Sequence, residues 1–482
     1  MESPDWFHLV FSVSIEEKIN SLKFFLSIGK DEKKKKGGKM FKKVFALTVS
    51  LVFLLSLSGM ALDENEAKIT QSGNTNEARI EQVGHNKAAI SQKGNSNGAY
   101  ISQDGNNFPS IPGCWYYLGA YIEQEGNFNE ASILMPTSYN ATRIQQKGNR
   151  NIASQVLGSS QHKSTDWNRL GLHIKQFGNS NTAFQKTISH FGCYGIQDMF
   201  VQQVGDNNYV KQFSKGGMQC LMEAYQIGDG NTSTQYQDAR WSDLHLKIVG
   251  NNNITDQYQE YTDYGKSGDH DAYVDINGDW NEVKQYQLGE YDSADVDIKG
   301  DKNSVGQHQE GDSNEAKVDI GSNINSVGQE QLGDLNVAEV DIDGNKNSVD
   351  QKQLGDSNVA GVDIKGNSNG SDCTTCNSCY KFKTYGYTQY QEGNSNEAYI
   401  DVIGSDNNTS QWQYGDSNYA DIDICGPGNN NTAKQIQLGS NNSATIDILG
   451  SNNLACIYQE GSNLRATIFQ KGNHNFACII QR

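Results

Sequence analysis

The chain has 482 residues, a formal charge of −18 and only 35% hydrophobic residues, with 49 Gly and 5 Pro. So few apolar side chains exclude a thick conventional core, and the negative charge argues against nucleic acid or an anionic membrane as partner. The polar residues recur at a fixed step, which excludes plain disorder and points to a solenoid, whose core is thin.

Residues 1–39 are a mildly apolar segment followed by four Lys at 33–36 and Gly37-Gly38-Lys39. They read as a leader extension or as a mis-assigned start upstream of Met40. Residues 40–61 have the parts of a secretory signal peptide: Lys42 and Lys43, an apolar run over 44–57, and Gly59-Met60-Ala61 as cleavage signal. The run is short for a bilayer crossing, so the sequence predicts export and no membrane span in the mature chain. Residues 1–61 hold ten Lys and six Asp or Glu, which leaves −22 on residues 62–482.

Repeats begin at once. Ala67-x-Ile69-x-Gln71 leads to Gly73, and Asn76-x-Ala78-x-Ile80-x-Gln82 leads to Gly84. Ala88-x-Ile90-x-Gln92 and Asn97-x-Ala99-x-Ile101-x-Gln103 follow. The pattern Q-x-G-x-x-N-x-A-x-[I/V]-x-Q resembles the repeat of curlins, the subunits of curli, extracellular amyloid fibres of bacterial biofilms. The resemblance covers, with interruptions, nearly all of Ala67 to Gln481. It implies a secreted subunit that polymerises coil upon coil into cross-β fibres, with a nucleator subunit and outer-membrane or surface export machinery as partners. The chain departs from the curlin pattern in having several times the usual repeats, nine Cys and large insertions. It also shows no separate export-targeting segment between Ala61 and the first repeat.

Regular units are expected over 62–153, with an inserted loop at 108–117. Over 154–234 the register is broken and large loops are expected, with recognisable units at Ile174-x-Gln176, Val201-x-Gln203 and Tyr225-Gln226. From 235 to 482 the repeat is regular again, apart from a Cys-rich insertion at 370–385.

Within 281–369 the step is uniform. Gln285, Gln307, Gln329 and Gln351 are 22 apart, as are Gln287, Gln309, Gln331 and Gln353, while Asn303, Asn314, Asn325, Asn336 and Asn347 are 11 apart. Specified residues alternate over seven positions, the period of a strand, and Asn and Gly are read as turn residues because both tolerate positive φ. The prediction is an all-β fold: a parallel two-sheet β-solenoid of 22-residue coils, each made of two 11-residue strand-turn units. About 17 coils would span roughly 80 Å at one strand spacing per coil. Buried amides are costly unless bonded, and an exact repeat answers this by stacking Gln on Gln and Asn303, Asn325 and Asn347 on one another. Repeat strands lie close to both the cleavage site and Arg482, and such edges are templates for a second copy. An end-to-end homopolymer is therefore expected.

A 22-residue period also stacks the outward residues. Asp275, Asp297, Asp319, Asp341 and Asp363 form a column that either binds a hard divalent cation such as calcium or is a solvated acidic face; apart from this calcium no cofactor is expected. Tyr236, Tyr258, Tyr286, Tyr390, Trp412 and Tyr458 form a stripe on the other sheet. It could bundle fibrils, stack on sugars, or merely reflect the β-propensity of aromatics. Cys373, Cys376 and Cys379 read as disulfide or inter-chain partners rather than a zinc site, since an exported chain oxidises such cysteines. Cys456 and Cys478 share one outward position 22 residues apart and are a possible disulfide, near bridging distance by backbone spacing but with parallel side chains. No catalytic motif is present, so the sequence reads as a non-enzymatic, secreted structural subunit of an extracellular matrix, biofilm or sheath. The alternative is a monomeric surface adhesin that binds glycans or surfaces.

Overall fold

The computed structural model describes residues 65–84, 86–104, 119–136, 140–158, 170–188, 197–215, 220–261, 268–369, 389–426 and 428–482. Residues 1–61, the loop 108–117 and the insertion 370–385 with Cys373, Cys376 and Cys379 lie outside them. The chain divides into two compact units, 1–63 and 64–482, and every described strand belongs to the second.

Strands are numbered β1 to β34 in chain order, from Glu66–Ser72 (β1) and Glu77–Val83 (β2) to Arg465–Lys471 (β33) and Phe476–Gln481 (β34). Odd strands make one 17-stranded sheet, sheet A, and even strands make the other, sheet B. Each strand pairs in parallel with its next-but-one neighbour, as in Ala272↔Ala294 and Ala294↔Ala316. Among the described residues β34 pairs with β32 (Leu454–Glu460) alone and β2 with β4 (Gly98–Asp104) alone, so sheet B is an open ladder rather than a closed barrel. One odd strand and the even strand after it form a coil; coil 1 is β1 with β2, and coil 17 is β33 with β34. The predicted all-β, parallel two-sheet solenoid is the fold.

Alternation sets the core. In β19 (Ser293–Lys299) Ala294, Val296 and Ile298 are buried between outward Asp295 and Asp297, and in β20 (Ser304–Asp312) Val305, Gln307 and Gln309 face inward. Because the side-chain period in a strand is two, one register holds the same residue type inside through successive coils.

The turns correct the expectation for Asn. Positive φ belongs to the first turn residue, usually Gly, and to the third, which is of almost any type: Trp280 at 61°, Lys302 at 60° and Ile324 at 62°. The Asn that follows is a hydrogen-bonding residue of the corner. At Gly148 (φ 124°) glycine is required, since an added Cβ would lie 1.9 Å from the Gly178 carbonyl oxygen. Through 154–234 the described stretches are strands in register. β10 (Thr182–Thr187) sets Ala183 against Val210 of β12 (Tyr209–Ser214), and residues 159–169, 189–196 and 216–219, on which the expected large loops fall, lie outside the described residues.

Candidate assembly site

The glutamines form directional ladders. Gln285 donates from Nε2 to Oε1 of Gln307 at 2.9 Å, Gln307 to Gln329 at 2.9 Å, and Gln329 to Gln351 at 2.9 Å. The second column runs alongside, from Gln287 to Gln309 at 3.1 Å, Gln309 to Gln331 at 3.0 Å, and Gln331 to Gln353 at 2.9 Å. The spare N–H of each amide reaches backbone carbonyls of the facing sheet, as Gln285 does at Tyr273 and Ala294. These side chains are buried and bonded on both sides, which offsets the cost of desolvating them. Donation always runs from the earlier coil to the later one.

The ladders change columns along the chain. In sheet A a glutamine column runs from Gln71 and Gln92 through Gln203 to Gln226, then gives way to Ile248, Ile276 and Ile298. In sheet B a column opens at Gln155 and Gln185, and a second reopens at Gln237 and Gln259. Each first rung has a coil below it without a glutamine donor, and Gln155, Gln237 and Gln470 accordingly have a buried Oε1 without a partner. The sequence held the signal for these handovers, but only once the register across the broken region was known.

The asparagine column runs the opposite way. Asn303 donates its backbone N–H to Oδ1 of Asn281 at 2.9 Å, and Asn325 and Asn347 continue it at 2.8 Å each. The corresponding residue is Asn in both outermost coils, Asn76 and Asn475, and throughout the coils between them. The other corner carries Asn336 and Asn314, then departs from type. Asn314 donates to Oδ1 of Asp292, Asp292 donates its backbone N–H to Nδ1 of His270 at 3.3 Å, and His270 donates its own to Oγ of Ser242 at 3.0 Å. Both ionisable side chains are fully buried. Burial pushes His270 down to about 4 and Asp292 up to about 7, the latter with a contribution from Asp312 and Asp334. A neutral imidazole is what the geometry requires, because Nδ1 accepts a hydrogen bond.

The acidic column is in register from Asp275 through Asp297, Asp319 and Asp341 to Asp363, and continues at Asp401, Asp423 and Asp447. Burial first, then neighbouring carboxylates, pushes Asp341 and Asp401 above the usual carboxylate range. Lys247 pairs with Asp275 at 2.6 Å, Lys299 with Asp297 at 2.9 Å, and Lys365 with Asp363 at 2.7 Å. Among the described residues no three His, Cys, Asp or Glu side chains converge as metal ligands.

The aromatic stripe is a stack at one end and covered at the other. Tyr236, Tyr258 and Tyr286 stack with centroids 4.4 and 5.0 Å apart, so their faces meet one another and their edges meet solvent. Tyr390 tilts toward Trp412 at 6.4 Å, and Tyr458 bonds Glu460. Trp412 points outward yet is only 6% exposed, with Lys434 Nζ 5.4 Å from its ring centroid. It is not the open aromatic platform that its position in the column suggests. Cys456 and Cys478 face each other in register, the first buried and the second exposed.

The outermost coils differ from the rest in exposure. All of β1 is exposed, including inward Ile69 at 46%, and in β34 Ala477, Ile479 and Gln481 are only half-buried.

Among the described residues no helix is long and apolar enough to cross a membrane. No curated protein matches the chain. The family model of the curlin associated repeat matches residues 63–87, 428–461 and 450–482. These stretches hold coil 1 and β30 (Thr432–Leu438) to β34, and Ala-x-Ile-x-Gln is written in β1, β2, β32, β33 and β34 among them. Over these stretches the chain is similar to the curlin associated repeat.

Proposed function

We propose that the protein is a secreted, curli-like structural subunit that polymerises by stacking coil on coil into fibres of an extracellular matrix, biofilm or sheath. One observation carries the reading: among the described residues, the ladders that join successive coils have no further rung beyond coils 1 and 17. Gln481 receives a hydrogen bond from Gln459 at 2.8 Å and has no further rung to donate to among the described residues, while β1 offers a whole strand edge. Open parallel edges with repeating amides are templates for another chain. The partner is a second copy; a nucleator subunit and surface export machinery follow from the curlin resemblance, as does an extracellular location. Neither nucleic acid nor a catalysed reaction has a part in this reading.

Electron microscopy of the purified protein over days in non-reducing buffer tests it. Unbranched filaments that lengthen with time support polymerisation. Discrete particles roughly 80 Å long, one solenoid each, overturn it and favour a monomeric adhesin.

A further inference from the structure

The tyrosine stack of sheet B carries a chemistry that the fold itself does not use. Tyr236 of β14 (Thr232–Asp238), Tyr258 of β16 (Ile254–Glu260) and Tyr286 of β18 (Glu282–Glu290) stand in register on coils 7, 8 and 9. Their ring centroids are 4.4 and 5.0 Å apart, and the rings are within 5° and 8° of parallel. Outward and half-buried, they are three phenols held face to face at the surface. Other tyrosine pairs are less well aligned: Tyr390 and Tyr414 meet at 5.3 Å but are tilted by 40°, and Tyr399 and Tyr419 meet at 6.1 Å and are tilted by 49°.

Rings of another kind close the stack at both ends. Phe213 lies against Tyr236 at 5.3 Å, and His308 meets Tyr286 at 4.9 Å with the ring planes near perpendicular. Neither has a phenolic hydroxyl, so phenol chemistry along this stack is confined to three residues of one chain.

Two further features suit one-electron oxidation. Tyr258 donates its hydroxyl to Glu260 Oε2 at 2.7 Å, which places a carboxylate to take the proton when the ring loses an electron. Burial, then this bond, pushes the Tyr258 hydroxyl above its ordinary range, so the proton stays on oxygen until that moment. Beside the stack, a Cβ added at Gly306 would have nothing within 4 Å, and a hollow of about 810 Å³ opens along Tyr258, Tyr286 and His308. A small oxidant reaches the ring edges from there.

We propose that Tyr236, Tyr258 and Tyr286 form an oxidative cross-linking site, at which a one-electron oxidant fed by hydrogen peroxide joins adjacent rings as dityrosine and staples neighbouring coils. Each of two facing phenols gives up one electron and its hydroxyl proton, that of Tyr258 passing to Glu260. The two phenoxyl radicals then join by a carbon–carbon bond ortho to the oxygens. The hydrogens displaced from those two carbons return to the oxygens as protons when the rings regain aromaticity. Each link therefore removes two electrons and two protons, and one hydrogen peroxide takes them up as two waters. A link between coils closes a loop, which restricts the unfolded chain as a disulfide does. The site belongs to the single chain and stands whether or not chains polymerise.

The test is oxidation of the whole protein at high dilution with hydrogen peroxide and a haem peroxidase. Dityrosine fluorescence, mass spectrometry of cross-linked peptides and thermal melting are the readouts. Links of Tyr258 to Tyr236 and to Tyr286 should dominate among the 23 tyrosines, and the oxidised protein should melt above the untreated one. Tyr258→Phe keeps a ring in the stack but leaves the remaining phenols two coil spacings, about 10 Å, apart. It should abolish both links and the gain in melting temperature. Glu260→Gln should slow coupling without changing which rings join. In urea-unfolded protein the preference for these pairs should vanish. The proposal is overturned if the folded wild type forms no dityrosine, if links follow exposure along the chain, or if Tyr258→Phe couples like wild type. Should Tyr258→Phe fail to fold, Tyr236→Phe and Tyr286→Phe decide the matter, since each should lose one link and keep the other.

Discussion

The outermost and central coils solve the same burial problem with different arrangements. Coils 1 and 17 place Ala, Ile and Gln inward in both sheets, as in Ala67-x-Ile69-x-Gln71 and Ala78-x-Ile80-x-Gln82. In the central coils, such as β23 (Val337–Asp343) with β24 (Ser348–Leu354), sheet A is wholly apolar inside and sheet B carries both glutamine columns. Segregating the amides works only where each rung has a neighbour on both sides. The outer coils keep one inward glutamine in each sheet. The curlin associated repeat is matched at these coils and also at β30 and coil 16, which have neighbours on both sides.

The comparison is most directly broken at the glycine column. Gly148→Ala places a methyl against the backbone of the next coil at a left-handed φ, and we expect it to cost roughly 4 kcal/mol or more in urea denaturation. Gly472→Ala shares the strain of positive φ but not the clash, so about 1 kcal/mol is expected. Equal losses at the two sites would mean that the turn conformation, not the approach of the next coil, demands glycine. The glutamine ladders give the next largest contrast. Gln309→Leu strands the Nε2 of Gln287 and the Oε1 of Gln331 in a dry interior and should cost about 2–4 kcal/mol, whereas Gln71→Leu, in an exposed strand, should cost under about 1 kcal/mol.

Much of this was legible in the sequence. A step of 22 residues and an alternation of two set the coil, the two sheets and the glutamine and asparagine ladders before any coordinates. Other features were hidden for physical reasons. Positive φ at the third turn position leaves no mark, because the turn imposes it on Trp280, Lys302 and Ile324 alike. Burial of outward Trp412 depends on tertiary cover rather than on the position of Trp412 in the column. Steps of 22 back from Asn314 land on Asp292 and His270, but neither is the Asn of the repeat, so the conforming residues do not mark the pair.

That pair distinguishes one corner of coils 9 and 10 from the all-asparagine corner opposite, and its pH dependence can be signed. Between about pH 4 and pH 6.5 the unfolded chain carries one proton on the imidazole, and the folded chain carries one on the Asp292 carboxyl. Proton counts match, so the wild type should be flat in this window. His270→Asn leaves the raised Asp292, whose contribution is full below about pH 4 and is lost as pH rises toward 7. Asp292→Asn leaves the depressed His270, whose contribution is full above about 6.5 and is lost as pH falls toward 4. Slopes of opposite sign, amounting to roughly 2 kcal/mol across the window, should appear in urea midpoints of the two variants. Parallel slopes would show that His270 is charged in the fold.

The smallest effect expected is on the acidic face. Asp341 lies between Asp319 and Asp363, and burial with these two neighbours raises its pKa, so the fold becomes less favourable as pH rises through the carboxylate range. The side chain is largely exposed, and solvent screens most of the repulsion. Asp341→Asn should therefore stabilise by less than about 1 kcal/mol at neutral pH, less again in high salt, and not at all in acid where the carboxyls are already neutral. In the same melting experiment added calcium should raise the wild-type melting temperature more than that of the variant if the column gathers cations. An equal shift, or none, would leave the column as a solvated acidic face.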